Sequence, residues 1–314
     1  MSALRTAVIG VGYLGNFHAQ KYAALGDAEL VGVVDSDPIR VGEVAAACGC
    51  TAFTDYRDLI GRVDAVSVVV PTQFHHQVAR DFLAAGVHVL IEKPITTTIE
   101  QADELIALAD SGNLVFQVGH LERFNPVLMA AEEVLQAPLF VESVRIAPFK
   151  PRGTDVNVVL DLMIHDIDII QHLVRSKVAS IDAIGAPVFT GEEDIANARI
   201  AFENGCVANV TASRISLKSE RKMRIFQRDA YLTLDFQNRK LLVAKRGAGE
   251  LLPGIPNVQV QEQELGQSDP LLSEIRSFLE AIRSGGQPQV SGRDGRMALE
   301  TALKINQALN RIPS

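Results

Sequence analysis

Lys93 stands in the tripeptide Glu92-Lys93-Pro94, directly after a β-branched run. A cation there lies at the carboxyl end of a strand, where open α/β sheets bind their ligands. Farther along, Asp161, His165 and Asp168 are spaced four and three apart in Asp161-Leu162-Met163-Ile164-His165-Asp166-Ile167-Asp168, so a helix brings them to one face. A histidine among carboxylates suits proton transfer near neutral pH. The same trio, joined by His120, is also a ligand set for a metal ion, and the residue types alone leave both readings open. Gly10-Val11-Gly12-Tyr13-Leu14-Gly15 adds a third chemistry. A glycine loop opening a helix presents backbone N–H groups to a diphosphate, and Asp35, twenty residues after Gly15, is placed to accept hydrogen bonds from ribose hydroxyls. Asp35 and Asp37 would repel a 2′-phosphate, which favours NAD over NADP, while Arg40 is the one nearby cation that argues the other way.

These groups need a scaffold, and the hydrophobic pattern supplies two. Up to about Gly119, short apolar runs (Thr6 to Ile9, Leu30 to Val34, Ala65 to Val70, Val87 to Ile91, Val115 to Val118) alternate with amphipathic stretches (Leu14 to Leu25, Pro38 to Ala47, Phe74 to Ala85, Ile99 to Asp110). Strict alternation means a parallel sheet with crossover helices, a doubly wound Rossmann fold within the α/β class. After Asn125 strand-like segments follow one another across short turns: Leu139 to Ile146, Ile195 to Phe202, Val207 to Thr211, Lys222 to Phe226, Tyr231 to Phe236 and Lys240 to Ala244. That predicts a mostly antiparallel sheet in an α+β domain. Helices are expected over Val158 to Val174, Leu271 to Arg283 and Arg296 to Asn310, and the Gly- and Pro-rich Gly247 to Pro256 reads as a loop. The expected domains are 1–121, binding the dinucleotide, and 122–314, binding substrate and carrying subunit association.

Two domains also suit the length of 314 residues, and 47% hydrophobic with 22% charged residues describes a chain that buries a core. Thirty Lys and Arg against 38 Asp and Glu give a net charge of −8, which argues against a nucleic-acid partner. Apolar runs are too short for a membrane span or a signal peptide, so a cytoplasmic location is expected. Cys48, Cys50 and Cys206 fit reduced thiols better than a disulfide framework.

The glycine loop, Asp35, Pro71 with His75 four residues on, Glu92-Lys93-Pro94, Arg123-Phe124-Asn125-Pro126, the Asp161/His165/Asp168 helix and Asp294-Gly295 occur in that order. Together they resemble the Gfo/Idh/MocA family of oxidoreductases over essentially the whole chain. Within it, Gly119 to Pro126 and Phe149 to Asp155 look most like bacterial nucleotide-sugar 3-dehydrogenases. The resemblance implies NAD as cofactor, no metal, and association as a homodimer or homotetramer through the open face of the second sheet. It implies oxidation of the C3 hydroxyl of a UDP-N-acetylhexosamine, with UDP-N-acetylglucosamine first, ahead of an aminotransferase in lipid A-type sugar synthesis. A UDP-N-acetylglucosaminuronate, another sugar or a cyclitol is the alternative substrate, and a non-catalytic NAD-responsive regulator the alternative of another class. Met163 and Val70 depart from the glycine and threonine common in the family, and Gln227 to Ala230 replaces a Gly-x-x-Gly turn.

By the same resemblance, Lys93, Asp161 and His165 are the catalytic residues: His165 the base, Lys93 a donor to the same oxygen, Asp161 the group that fixes orientation. Gly10, Gly12, Tyr13, Leu14, Gly15, Asp35, Pro71, Thr72, His75, Glu92 and Lys93 are expected around the cofactor. Arg123, Asn125, Lys150, Arg152, His165, Arg214 and Arg221 are expected around the substrate. An acidic protein that binds a nucleotide sugar needs local cations for the diphosphate, and Arg214 to Arg228 is the densest basic segment.

Overall fold

The computed structural model describes residues 3–149 and 156–309, which form two compact units. The first comprises residues 1–121 and 269–299. Its six-stranded parallel sheet runs in the order β3-β2-β1-β4-β5-β6, with β1 Leu4–Ile9, β2 Ala28–Val34, β3 Thr51–Phe53, β4 Ala65–Val68, β5 His88–Glu92 and β6 Phe116–Gly119. The order reverses between β1 and β4, which opens a crevice at their carboxyl ends. Every residue of β4 and β6 is buried, as parallel strands covered on both faces require.

The crossover helices are α1 Tyr13–Ala24, α2 Pro38–Cys48, α3 His75–Ala84 and α4 Ile99–Ser111. Local chemistry sets their ends. Asp37 caps α2 by accepting from the N–H groups of Ile39 and Arg40, Pro38 takes the first turn, and Gly49 closes it in the left-handed region. The chain then returns late: α7 Pro270–Ser284 buries Leu271, Ile275, Phe278 and Leu279 in one core with Val8, Tyr22 and Val33. Residues 269–299 therefore belong with the nucleotide-type unit and not, as expected, with the second. Sequence distance hides this, because the apolar face of α7 names no partner.

The second unit comprises residues 122–268 and 300–314. Its eight-stranded sheet has the order β14-β13-β12-β11-β7-β10-β9-β8, formed by β7 Pro138–Ile146, β8 Val178–Ala186, β9 Ile195–Phe202, β10 Val207–Ser213, β11 Glu220–Gln227, β12 Ala230–Asp235, β13 Lys240–Leu252 and β14 Ile255–Glu264. All pairs are antiparallel except β7 with β10. One face is apolar, with Ala196, Ala198 and Ile200 buried along β9. The other carries Asn197 bonded to Thr211 and Arg199 to Asn209, beside a half-buried Phe140–Phe226–Tyr231 cluster. A π turn at Val159–Met163 and α6 Ile164–Val174 pack on this sheet, as does α5 Pro126–Glu132. α8 Gly292–Leu309 closes the chain.

The stretch Gly247 to Pro256, expected as a loop, is the tip of the β13–β14 hairpin. Register shifts between Arg246 and Leu252 absorb Gly247 and Gly249 as bulges, and Gly254 turns at φ +81°. The glycines and prolines pointed to a loop; their role as bulges within paired strands was not legible.

Candidate functional site

In the first unit the predicted cofactor residues gather at the carboxyl ends of β1, β2, β4 and β5. Gly10 leaves β1 at φ +88°, donates to the Val34 carbonyl at 2.8 Å, and has no room for a side chain, since a Cβ would lie 2.8 Å from the Val69 carbonyl oxygen. Gly15 is tighter still: its Cβ would fall 1.8 Å from the Gly10 oxygen. Gly12 is the opposite case. No protein atom lies within 4 Å of its Cβ position, and α1 begins there with no side-chain cap on its N–H groups. An uncapped helix N-terminus faced by empty space fits the diphosphate of NAD. Tyr13 is exposed and stacks edge-on against Phe17, and Leu14 is half-buried.

Asp35 is almost buried. Its Oδ2 accepts from the Val11 N–H at 3.0 Å, and its Oδ1 from the Asp37 N–H at 3.0 Å and from Arg40 at 3.1 Å. The carboxylate thus ties the glycine loop to the end of β2, and after these three hydrogen bonds about one lone-pair site, on Oδ2, stays open. Arg40 is paired with both Asp35 and Asp37, so the cation that favoured a 2′-phosphate is already engaged.

Pro71 is exposed and Thr72 half-buried in the turn after β4. His75 is buried, with one ring nitrogen 2.8 Å from the Val70 carbonyl oxygen and the other 2.9 Å from that of Pro94. It clamps the loop after β4 to the loop after β5. Burial pushes its pKa down, against the pull of those carbonyls. Glu92 ends β5, where its Oε2 accepts from the Lys93 N–H at 3.3 Å and its Oε1 lies 3.2 Å from His18 Nε2. Across the sheet, a Cβ on Gly119 would stand 2.9 Å from Glu92 Oε1, so a glycine there makes the space for the carboxylate. Lys93 is half-buried.

In the second unit Asp161 lies in the π turn and His165 on the first turn of α6, both half-buried. Single π turns inside helices are rare and cluster at functional sites. The Asn157 side chain steadies this one by accepting from the Leu160 N–H. Asp168, the third residue of the predicted face, is buried in an ion pair with Arg123 at 2.9 Å. That contact removes Asp168 from the metal-ligand reading and turns Arg123 from an expected substrate contact into a support for α6.

Asn125 likewise caps α5, accepting from the Val127 N–H at 3.0 Å and donating to Glu122 at 3.2 Å. Arg214 is buried, bonded to Asp194 at 2.8 Å, to the Thr190 hydroxyl and to the Val156 carbonyl. Its fork is spent on the fold, which corrects its assignment to the diphosphate. Arg221 remains exposed, with one long contact of 3.4 Å to Glu122. Lys150 and Arg152 lie outside the described residues.

Several polar residues escaped the sequence reading. Arg145 is buried between Asp166 at 2.6 Å and Glu122 at 3.0 Å, which holds the back of α6 to β7. Burial pushes the Glu122 carboxyl up, but the Arg145 charge and hydrogen bond leave it below the usual range. His18, Ser67, Tyr22 and Glu274 form a second buried group behind Glu92. Only the i+3 position of His18 after Gly15 hinted at it.

A doubly wound sheet with a glycine cradle, a carboxylate at the end of its second strand and a lysine just past its fifth is the framework of an NAD-dependent oxidoreductase. The chain belongs to the Gfo/Idh/MocA oxidoreductase family: its NAD-binding Rossmann-fold model matches residues 4–120 and its C-terminal-domain model residues 147–233. The UDP-N-acetylglucosamine 3-dehydrogenase of Acidithiobacillus ferrooxidans is 43% identical over 98% of both chains, and a solved structure of that enzyme superposes with a TM-score of 0.93 over 98% of both. The inositol 2-dehydrogenase of Rhizobium meliloti is 25% identical over 95% of this chain and 94% of its own. A levoglucosan dehydrogenase structure, 19% identical with a TM-score of 0.87 and covering 99% of this chain and 98% of its own, shares the fold. Among the described residues no helix is long and apolar enough to cross a membrane.

Proposed function

We propose that the enzyme oxidises the C3 hydroxyl of UDP-N-acetylglucosamine to a ketone. The observation that carries this reading is the 43% identity, over nearly all of both chains, to a UDP-N-acetylglucosamine 3-dehydrogenase. NAD, when bound, supplies the hydride acceptor. The chain's own task is the other half of the oxidation, the hydroxyl proton. His165 takes that proton as general base, and Asp161, one helical turn before it, orients the sugar or the imidazole. Lys93 donates to the carbinol oxygen, a cation placed where negative charge develops. Asp168, Arg123, Arg145 and Asp166 hold α6 without touching substrate.

Arg221, exposed on β11, is the described cation best placed to accept the sugar's diphosphate, and Lys150 and Arg152 join it in this reading. The aromatic cluster on the outward face of the second sheet supports association of subunits through that face, as a dimer or tetramer. The reading places the enzyme in the cytoplasm. A 3-keto amino sugar is what an aminotransferase consumes, so the product feeds that class of reaction, on the way to a lipid A-type sugar. The test is NADH formation with purified enzyme and a panel of UDP-N-acetylglucosamine, its 6-carboxylate, UDP-glucose and inositol. Turnover with UDP-N-acetylglucosamine above the others is expected. A requirement for the 6-carboxylate overturns the substrate, and no NADH with any sugar leaves an NAD-responsive regulator.

A further inference from the structure

Behind the carboxyl end of β5, a file of buried polar side chains runs through the first unit. The Tyr22 hydroxyl lies 2.9 Å from Ser67 Oγ, Ser67 Oγ 3.2 Å from His18 Nδ1, and His18 Nε2 3.2 Å from Glu92 Oε1. Glu274, on α7, stands at its end. It is 0% exposed, and neither of its carboxylate oxygens has a hydrogen-bond partner. Yet one of those oxygens, a Glu92 oxygen and a His18 nitrogen all lie within 4.8 Å of one another. Gln117 fixes the site from β6 by donating to the Glu274 backbone carbonyl at 3.1 Å. A fully buried carboxyl this close to a second, largely covered one is not expected to ionise alongside it.

We propose that Glu274 carries a proton at neutral pH and donates it to Glu92, so that one shared proton positions Lys93. Glu92 is then flanked on three sides, by His18 at 3.2 Å, by the Lys93 N–H at 3.3 Å and by the Glu274 carboxyl within 4.8 Å. Gly119, lacking a Cβ, leaves room for the carboxylate where it stands. The groups facing the pair are His18 and Tyr22 from α1, Ser67 from β4, Lys93 from the turn just after β5 and Gln117 from β6. Burial, then the charge of Glu92, raises the Glu274 pKa well above the carboxylate range. Glu92 goes the other way: burial pushes it up, but the His18 hydrogen bond and charge and the Lys93 charge leave it below its usual value. The acid and its acceptor are thereby sorted. The positioning claim rests on the role given to Lys93 above; the proton itself does not.

The proton is tested by denaturant unfolding of the full chain and of Glu274→Gln from about pH 5 to pH 8. An unfolded glutamate ionises near pH 4.3, so above that value a native state with protonated Glu274 binds one proton more than the unfolded chain. Wild type is then expected to lose about tenfold in its folded-to-unfolded ratio per pH unit relative to E274Q, up to the folded pKa. Parallel pH profiles overturn the proposal. Should E274Q not fold, isotope-edited infrared spectroscopy of wild type with 13C-labelled glutamate replaces it. A neutral-acid carbonyl band above pH 7 is expected, and its absence refutes the proton. A stoichiometric divalent ion in the purified enzyme, lost with a chelator, would also overturn it, because a metal would then balance the two carboxylates. For positioning, Glu274→Met should lower kcat about 10- to 100-fold with little change in KM for NAD, and E274Q should recover most of the loss. Equal kcat in E274M and wild type refutes the positioning role. A pH slope as expected, with a fully active Lys93→Met, would sink the role of Lys93 and leave the proton standing.

Discussion

Alanine at Gly12 and alanine at Gly15 should fail in opposite ways, although both glycines belong to one cradle. At Gly12 the backbone is an ordinary helix N-cap with φ −63° and ψ −157°, and no protein atom lies within 4 Å of the new methyl. Exchanging Gly for Ala at an N-cap costs at most about 1 kcal/mol, so G12A should fold with nearly wild-type stability. The methyl, however, fills the space in front of the uncapped N–H groups of α1. Losing one charge-assisted hydrogen bond to a diphosphate costs about 1.5–3 kcal/mol, which weakens NAD binding by about 10- to 150-fold. At Gly15 the methyl would meet the Gly10 carbonyl oxygen at 1.8 Å, backbone against backbone. The loop itself must move, at about 3 kcal/mol or more. Calorimetric titration with NAD and urea unfolding separate the two. G12A binding NAD as tightly as wild type would refute the placement of the diphosphate, and a fully stable G15A would refute the packing of the loop.

Further outcomes follow from the same geometry. Removing the imidazole in His165→Ala should raise the barrier by about 3 to 5 kcal/mol in kcat/KM with NAD affinity unchanged, and ordinary turnover would remove His165 from the chemistry. Gly119→Ala should displace the Glu92 carboxylate, now 2.9 Å from the new methyl, and cost about 1–3 kcal/mol of stability; unaltered urea unfolding would contradict that packing. Asp194→Asn should destabilise by about 3–5 kcal/mol at pH 7, because Arg214 is left buried without its charge partner. Burial pushes the Asp194 carboxyl up, but Arg214 and the N–H groups of Phe189, Thr190 and Val188 hold it well below its unfolded value. Its contribution is therefore present above about pH 4 and fades as pH falls toward the folded pKa. The gap between wild type and D194N should narrow with acid, and a gap independent of pH would refute the assignment.

The first unit was largely legible because its signals are local. Strand–loop–helix grammar, the glycine spacing and Asp35 each read off a few consecutive residues, and the structure gathers them at one sheet end. What could not be read was pairing at a distance. Arg123, Asn125 and Arg214 look from the sequence like cations and amides free for a substrate, whereas Asp168, Glu122 and Asp194 consume them. A basic segment in sequence says nothing about which acid folds against it. The same blindness hid the partner of α7, a helix expected over Leu271 to Arg283 whose apolar face returns to the first core, with Glu274 carried into the space behind Glu92.

The central claim is removal of hydrogen from C3 of an N-acetylhexosamine by NAD. UDP-N-acetylglucosamine carrying deuterium only at C3, incubated with enzyme and NAD, tests it by mass spectrometry of both products. Reduced cofactor containing the deuterium, with a sugar product that has lost it, is the expected result. NADH free of label, with deuterium retained in the oxidised sugar, would place the chemistry at another carbon and contradict the account.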